Sequence, residues 1–382
     1  MLFNSGIIKA ATLTSKIISS EKNGMTRLLS NEDVDNLIDI SDVLDALEEA
    51  YAEAAAGRAV LGSRSDLVTK GPDDEAVYQL KSMSSTIASL GVGAVRINSD
   101  VIAFPEVGGK KRRKKLPLAP GNRWTGLVLL FSNATGEPLM IVPDGVMQRL
   151  RVAGASALGA KYMAREDAKT VALIGSGWQA GAQALAIAKV RPVDEIRVYS
   201  LTPENRNAFC AEMEPLVGVP MRPVESAEAA VKDADIVLCA TNAQSNVLFQ
   251  DWVQPGMHIA TIRDNEIELD AINGADVVAI HDTSSLDLSN YISTHGIRSG
   301  DQDKEAGNDP RMAYLSSVPT LADLISGGAV GRNAETDVTC FLNYRGLALQ
   351  FAAVAAVIHR RAEEKDIGRN LPTDWFTEDV IP

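Results

Sequence analysis

At 382 residues the chain exceeds what one compact core accommodates and predicts two domains. Hydrophobic residues at 46% and charged residues at 23% are ordinary for a globular protein. A formal charge of −13 excludes a general nucleic-acid binder, and no apolar run is long enough for a membrane-spanning helix.

Residues 1–24 lack a long apolar stretch and read as an extension before a domain that begins at Met25, with a transit peptide as the alternative that their basic, Ser- and Thr-containing sequence suggests. In 31–57, Val43, Leu44, Leu47 and Tyr51 recur at spacings of three and four with acids on the other face. That spacing predicts one or two helices, with Ser41 as N-cap and Gly57 as stop. The stretches AVYQLKSM, VGAVRIN, TGLVLLFSN and GEPLMIVPDG follow, each bounded by Gly, Pro or Asn, as strands of an antiparallel or mixed sheet are. Between the second and third lies KKRRKK, residues 110–115, flanked by Gly and Pro. Six like charges in a row are expected to form a solvated loop, with a nuclear-localisation or anionic-surface role, or a reach over a cofactor phosphate, as alternatives.

A helix at RVAGASALGAKYMA leads into a different pattern. From Lys169 the apolar runs are TVALIG, EIRVYS, PMRPVE, DIVLCAT, MHIATI and DVVAIHD, the first four separated by helical or turn-rich segments. Such alternation predicts a parallel sheet with helices on both faces, closing near Ser326. The stretch from Asp337 to Lys365 reads as one long helix that returns to the first domain. The expected fold class is therefore α/β. A Rossmann-type doubly wound sheet occupies 151–326, and a discontinuous α+β domain is made of 25–150 and 327–382.

Residues 175–180 form the pattern Gly175-Ser-Gly177-Trp178-Gln179-Ala180 between a strand and a helix. The first glycine permits a tight turn, the second lets backbone approach a pyrophosphate, and Ala180 allows the helix to pack closely on its strand. A dinucleotide would lie on the N-terminus of the helix that starts near Trp178. Ser200 ends the second strand where an NAD enzyme often carries Asp or Glu. Without that carboxylate a 2′-phosphate is not repelled. Ser200 and Thr202 offer it hydrogen bonds and Arg206 offers a charge, so the cofactor is NAD or NADP with a lean to NADP.

Cys210, Cys239 and Cys340 are too widely separated for a disulfide framework or a zinc site, and they suit a reducing cytoplasm. His258, His281, His295 and His359 have no metal-ligand spacing, so no metal is expected.

The run MQRLRVAGASALGAKYMAREDAKTVALIGSGWQA resembles the segment leading into the nucleotide fold of the ornithine cyclodeaminase/mu-crystallin family. The likeness continues in ATNAQSNVLFQDWVQPGMHIATI, where Thr241 and Asn242 are expected cofactor contacts, and in GLALQFAAVAAVIHRRAEEKDIG. It spans Met25 to the C-terminus. The resemblance implies a homodimer in which the discontinuous domain binds substrate and dimerises. It also implies hydride transfer at the α-carbon of an amino or imino acid.

By the same resemblance Arg64, Arg96 and Arg151 stand where the family places substrate-carboxylate binders, a task that suits the planar guanidinium. Asp264 follows the fifth strand, beyond whose end ligands of such sheets bind, and matches the family's general acid/base. Its alternative role is a helix N-cap. Two departures stand out. Cyclodeaminases that take ornithine have a glutamate where this chain has Gln79 and Lys81, and the usual acid of the last helix is replaced by Gln350 and Phe351. The leading expectation is a cyclodeaminase-like NAD(P)-dependent enzyme, with an NADPH-using imine reductase or amino-acid dehydrogenase as the alternative. A mu-crystallin-like binding protein, or an accessory subunit of an amine-oxidising system, is the reading from another class.

Overall fold

The computed structural model describes residues 24–73, 75–107, 110–287, 289–294 and 314–380. Residues 1–23 of the expected extension and His295 lie outside this set.

The first domain opens with two short-range devices. Ser30 and Asp33 close a capping box on helix Asn31–Leu37, and Asp39 and Asp42 close another on helix Ile40–Ala55. Asp39 is thus the N-cap, and Ser41 lies inside the helix. Ile40, Val43, Leu44, Leu47, Ala50 and Tyr51 form its buried stripe. They pack beside a large mixed sheet whose path runs Tyr291–Ser293, Ser65–Lys70, Ala76–Ile87, Val92–Ala103, Thr125–Ser132, Pro138–Pro143, Met25–Leu28 and Arg369–Pro372. Period-two alternation along its two long strands puts Gln79, Lys81 and Met83 on the same side as Arg96, Asn98 and Asp100, buried and in register. Lys81, Arg96 and Asn98 of that polar patch line a cavity.

Helix Gly145–Met163 crosses to the second domain and is buried along almost its whole length, as its Ala- and Gly-rich sequence allows. The second sheet is parallel throughout, in the order Met221–Pro223, Glu195–Tyr199, Thr170–Ile174, Ile236–Cys239, His258–Thr261, Thr339–Leu342, Val277–Ile280. The strand order reverses beside Thr170–Ile174, which opens a crevice at the strand C-termini.

Two segments depart from the sequence expectation. The stretch from Asp337 is not helical at its start: Thr339–Leu342 is a fully buried strand between His258–Thr261 and Val277–Ile280, and the helix begins only at Ala348. The parallel sheet therefore crosses the boundary expected near Ser326. In the other direction, Tyr291–Ser293 leaves the nucleotide half and pairs with Ser65–Lys70 at the edge of the large sheet. A short continuous apolar run does not distinguish a buried strand from a helix, and tertiary pairing decided both cases.

Cys210, Cys239 and Cys340 are free and buried, and burial raises each thiol, so they act as small hydrophobes. His258 and His281 are also fully buried. Burial first, then Arg332, pushes His258 down to about 3. Burial, then Arg151, does the same to His281. Both stay neutral in the fold but take up a proton in the unfolded chain below about pH 6.5. Their contribution is therefore constant above that pH and lost as pH falls from about 6.5 toward 3, at roughly 1.4 kcal/mol per unit for each imidazole. Urea midpoints measured between pH 7 and 5 should fall, and His258→Asn should make the decline shallower. An unchanged slope in that variant would remove His258 from the account.

Candidate active site

The crevice at the switch point is a cleft of about 620 Å³. Strand Thr170–Ile174 delivers the chain to Gly175, whose φ of +125° only glycine adopts readily, and a Cβ there would collide with the Ala240 carbonyl oxygen. Gly177 is the N-cap of helix Trp178–Val190 and caps no N–H with a side chain, and a Cβ on it would meet nothing within 4 Å. The helix N-terminus thus presents unpaired N–H groups to open space, the arrangement that receives a pyrophosphate. Gly175, Gly177, Trp178, Gln179, Ser200, Thr202, Thr241 and Asn242 all line the cleft. Ala180 sits behind it, fully buried between helix and sheet as expected.

Arg206 does not reach the cleft. It is buried, lies 5.9 Å from the Tyr199 ring centroid, and donates to the Ser200 carbonyl (3.1 Å) and Glu225 (2.6 Å). Asn205, one residue earlier on the helix, faces the cleft instead. Arg206 braces the ribose end from below, while Ser176 Oγ donates to Ser200 Oγ (2.8 Å) within it. No Asp or Glu is among the cleft's described lining residues.

The basic run is not a solvated loop. Lys110–Lys111 pairs with Glu106–Val107, and Lys114–Leu116 pairs with Val101–Ala103 on the large sheet. Lys115 makes an ion pair of 2.8 Å with buried Asp100, and Arg112 forms a backbone bridge with Ala243 of the nucleotide domain. Acids and carbonyls from elsewhere in the fold offset the repulsion that sequence alone presents. Arg112 and Lys114 line the nucleotide cleft, whereas Arg113 and Lys115 line the neighbouring cavity.

That second cavity, of about 300 Å³, holds the three expected arginines together with Asp264. Arg64 pairs with Asp66 (2.8 Å). Arg96 is pinned by Asp144 (2.7 and 2.8 Å) and Gln148 (3.0 Å), so the aspartate at the start of helix Gly145–Met163 holds the arginine instead of capping the helix. Arg151 differs from both. It is 3% exposed, stacks on Phe351 at 4.8 Å, and donates to the neutral amide of Gln350 (2.7 Å), which in turn donates to Tyr51 Oη (2.8 Å). Burial, then the neighbouring charge of Arg96, pushes its guanidinium down to about 9. Its Nε has no hydrogen-bond partner, and no carboxylate lies within ion-pair distance among the described residues. A buried cation so placed calls for an anion from outside.

Gln179, Thr241 and Ile262 line both cavities and mark where they meet. Asp264 lies just past strand His258–Thr261 and lines the second cavity. It caps nothing, since the following helix Leu269–Asn273 has Glu268 as its N-cap. The junction is organised by Glu266, which sequence reasoning missed. This fully buried carboxylate accepts from Thr241 N (2.6 Å), Thr241 Oγ1 (2.8 Å), Ile262 N (3.0 Å) and Arg263 N (3.0 Å), tying together the loops after two adjacent strands. Burial pulls its pKa up against those bonds. Strand Thr339–Leu342 adds Asn343 and Tyr344 to the cavity wall, residues hidden while that stretch read as helix.

Comparison with known proteins agrees with this geometry. The chain is 27% identical to a Δ1-pyrroline-2-carboxylate reductase of Bacillus cereus over 354 residues, covering 90% of this chain and 99% of that protein. It is 29% identical to an ornithine cyclodeaminase of Agrobacterium fabrum over 246 residues, 63% of this chain and 64% of the other. Among solved structures, the Δ1-pyrroline-2-carboxylate reductase of Thermococcus litoralis in complex with NADH and L-proline superposes with a TM-score of 0.73 at 26% identity. That match covers 91% of this chain and 100% of the other. The family model described as ornithine cyclodeaminase/mu-crystallin matches residues 25–366, and with the glycine turn, the arginine-lined cavity and Asp264 in place, the chain belongs to that family.

Proposed function

We propose that the protein is an NAD(P)-dependent oxidoreductase of amino and imino acids that runs as an imine reductase or amino-acid dehydrogenase. The observation that carries this reading is Arg151, buried with no carboxylate at ion-pair distance among the described residues, in a cavity that adjoins the nucleotide cleft and contains Asp264. Arg151, Arg96 and Arg64 hold the substrate carboxylate, Arg151 most directly because the other two are already paired. Asp264 exchanges a proton with the substrate nitrogen as the C=N bond gains a hydride and becomes an amine, or the reverse. Gly175, Gly177 and the N-terminus of helix Trp178–Val190 would hold the pyrophosphate of NAD(P), which would supply or accept the hydride. Glu266 keeps the Thr241 and Ile262 loops in register.

A buried ammonium at Lys81, where ornithine-using cyclodeaminases have an acid, disfavours a substrate with a cationic side chain and so favours the reductase over the cyclodeaminase mode. The test is product analysis by mass spectrometry. Δ1-pyrroline-2-carboxylate or linear imines with NADPH or NADH should give amino acid and oxidised cofactor in equal amounts. Multiple turnovers of L-ornithine to proline and ammonia on substoichiometric NAD would establish the cyclodeaminase mode instead.

Cofactor choice leans to NADP, because the cleft has Ser200 and Thr202 at the ribose end, Arg112 and Lys114 in its wall, and no lining acid. Ser200→Asp should raise KM for NADPH about tenfold or more while improving NADH, as expected for one close like-charge contact. An unchanged NADPH/NADH ratio in steady-state kinetics would remove Ser200 from the selection. The homodimer remains the expected assembly: Leu67, Leu127 and Ile292 stand exposed on strands of the large sheet, a surface that a second copy would cover.

A further inference from the structure

The backbone of the basic segment is held from both domains at Arg112. Its N–H donates to the Pro105 carbonyl of the first domain (2.9 Å), and the same residue forms the bridge with Ala243 of the nucleotide domain. Just beyond it, strand Lys114–Leu116 is paired with Val101–Ala103, and Lys115 is fixed to buried Asp100. Arg112 therefore reaches the nucleotide cleft from an anchored position. Pro105, Arg112 and Lys114 are the first domain's share of the cleft's described lining, and the other lining residues fall between 174 and 262.

The side chain of Arg112 is directed at one loop of the nucleotide domain. Its Nη1 donates to Asn242 Oδ1 over 3.4 Å. That loop packs on the glycine turn, since the Ala240 carbonyl oxygen is the atom that a Cβ on Gly175 would strike. A guanidinium and a helix N-terminus lining one cleft recognise the same chemistry, the oxygens of a phosphate. The present bond is long and its acceptor neutral, so a charged phosphate oxygen displaces it readily. Ala243 carries the contact further. Its carbonyl accepts from Asn265 Nδ2 (2.9 Å), next to Asp264, and its N–H donates to Thr241 Oγ1 (3.2 Å), which Glu266 holds. The bridge thus joins the basic segment to both loops at the junction of the cavities.

We infer that Arg112, assisted by Lys114, is a cofactor ligand contributed by the first domain: it holds a phosphate of the bound dinucleotide and ties the two domains together beside Asp264. The inference deepens the proposed function and rests on its placement of the dinucleotide, not on the reaction.

Calorimetric titration of the whole protein with NADP⁺ and with NAD⁺ tests this without depending on turnover. Arg112→Gln should weaken binding about tenfold or more, as loss of a charge-assisted contact does. Arg112→Lys, which keeps the charge, should lose no more than about threefold, and Lys114→Gln about threefold, because Lys114 is exposed. Equal losses for the two cofactors assign Arg112 to the pyrophosphate, and a loss confined to NADP⁺ assigns it to the 2′-phosphate. Trypsin gives a second readout in the wild type. Cleavage after residues 113–115, followed by mass spectrometry, should slow about threefold or more under saturating NADP⁺, as expected when a ligand holds a segment closed. Far-UV circular dichroism checks that each variant folds. Unchanged affinity for both cofactors in folded Arg112→Gln, or cleavage at 113–115 that NADP⁺ does not slow, overturns the inference. Failure of the oxidoreductase reading looks different: both readouts hold, but no amino or imino acid exchanges hydride with either cofactor.

Discussion

Replacing Asp264 by asparagine should lower kcat by about 10²–10⁴-fold while leaving the dissociation constant for NADP⁺ unchanged, the loss expected of the acid/base role proposed for it. Asparagine preserves the shape of a side chain that lines the cavity and caps no helix, so the fold is not disturbed. Stopped-flow hydride transfer with fluorescence titration of the cofactor checks both halves. Wild-type turnover in the variant would move proton transfer to another group.

Arg151→Met has the second large effect. A guanidinium buried at 3% exposure, stacked on Phe351 and with no acid partner among the described residues, would give a substrate carboxylate an interaction little screened by water. Its loss should cost about 2–5 kcal/mol in kcat/KM, roughly 30- to 5,000-fold, carried mainly by KM. The same substitution should raise thermal stability slightly in the absence of substrate, because an uncompensated buried cation gives way to an apolar side chain of similar length. Arg151→Lys should not restore activity, since an ammonium cannot reproduce the fork. Weakened activity together with weakened apo stability would mark Arg151 as structural.

Much of the molecule was legible before any coordinates. Gly175, Gly177 and Ala180 were readable because backbone geometry at a strand–turn–helix leaves few residue choices. The position of Asp264 in the second cavity was readable because the ends of parallel strands are where clefts of such sheets open. Other features depend on partners distant in sequence. KKRRKK reads as a solvated loop until Asp100 and the backbone of Ala243 supply what it pairs with. Thr339–Leu342 reads as helix because all four residues are buried and periodicity is silent there. Arg206 was misassigned by a single helix position, since Asn205 faces the cleft and Arg206 points to Glu225. Glu266 had no signal, because a carboxylate that organises two loops looks in sequence like any surface acid.

The exchange of strands between the two sheets has a consequence for how the chain is made. The parallel sheet lacks an inner strand until Thr339–Leu342 emerges, and the large sheet lacks its edges until Tyr291–Ser293 and Arg369–Pro372 have been added. On a ribosome, the glycine turn and the first five strands therefore wait, with the His258–Thr261 edge unpaired, for Thr339–Leu342 to emerge. Neither sheet is completed before the other's contributing segment exists. The site at their junction is thus assembled in one late event, and a nascent chain stalled before that point exposes an apolar strand edge of the kind that chaperones bind.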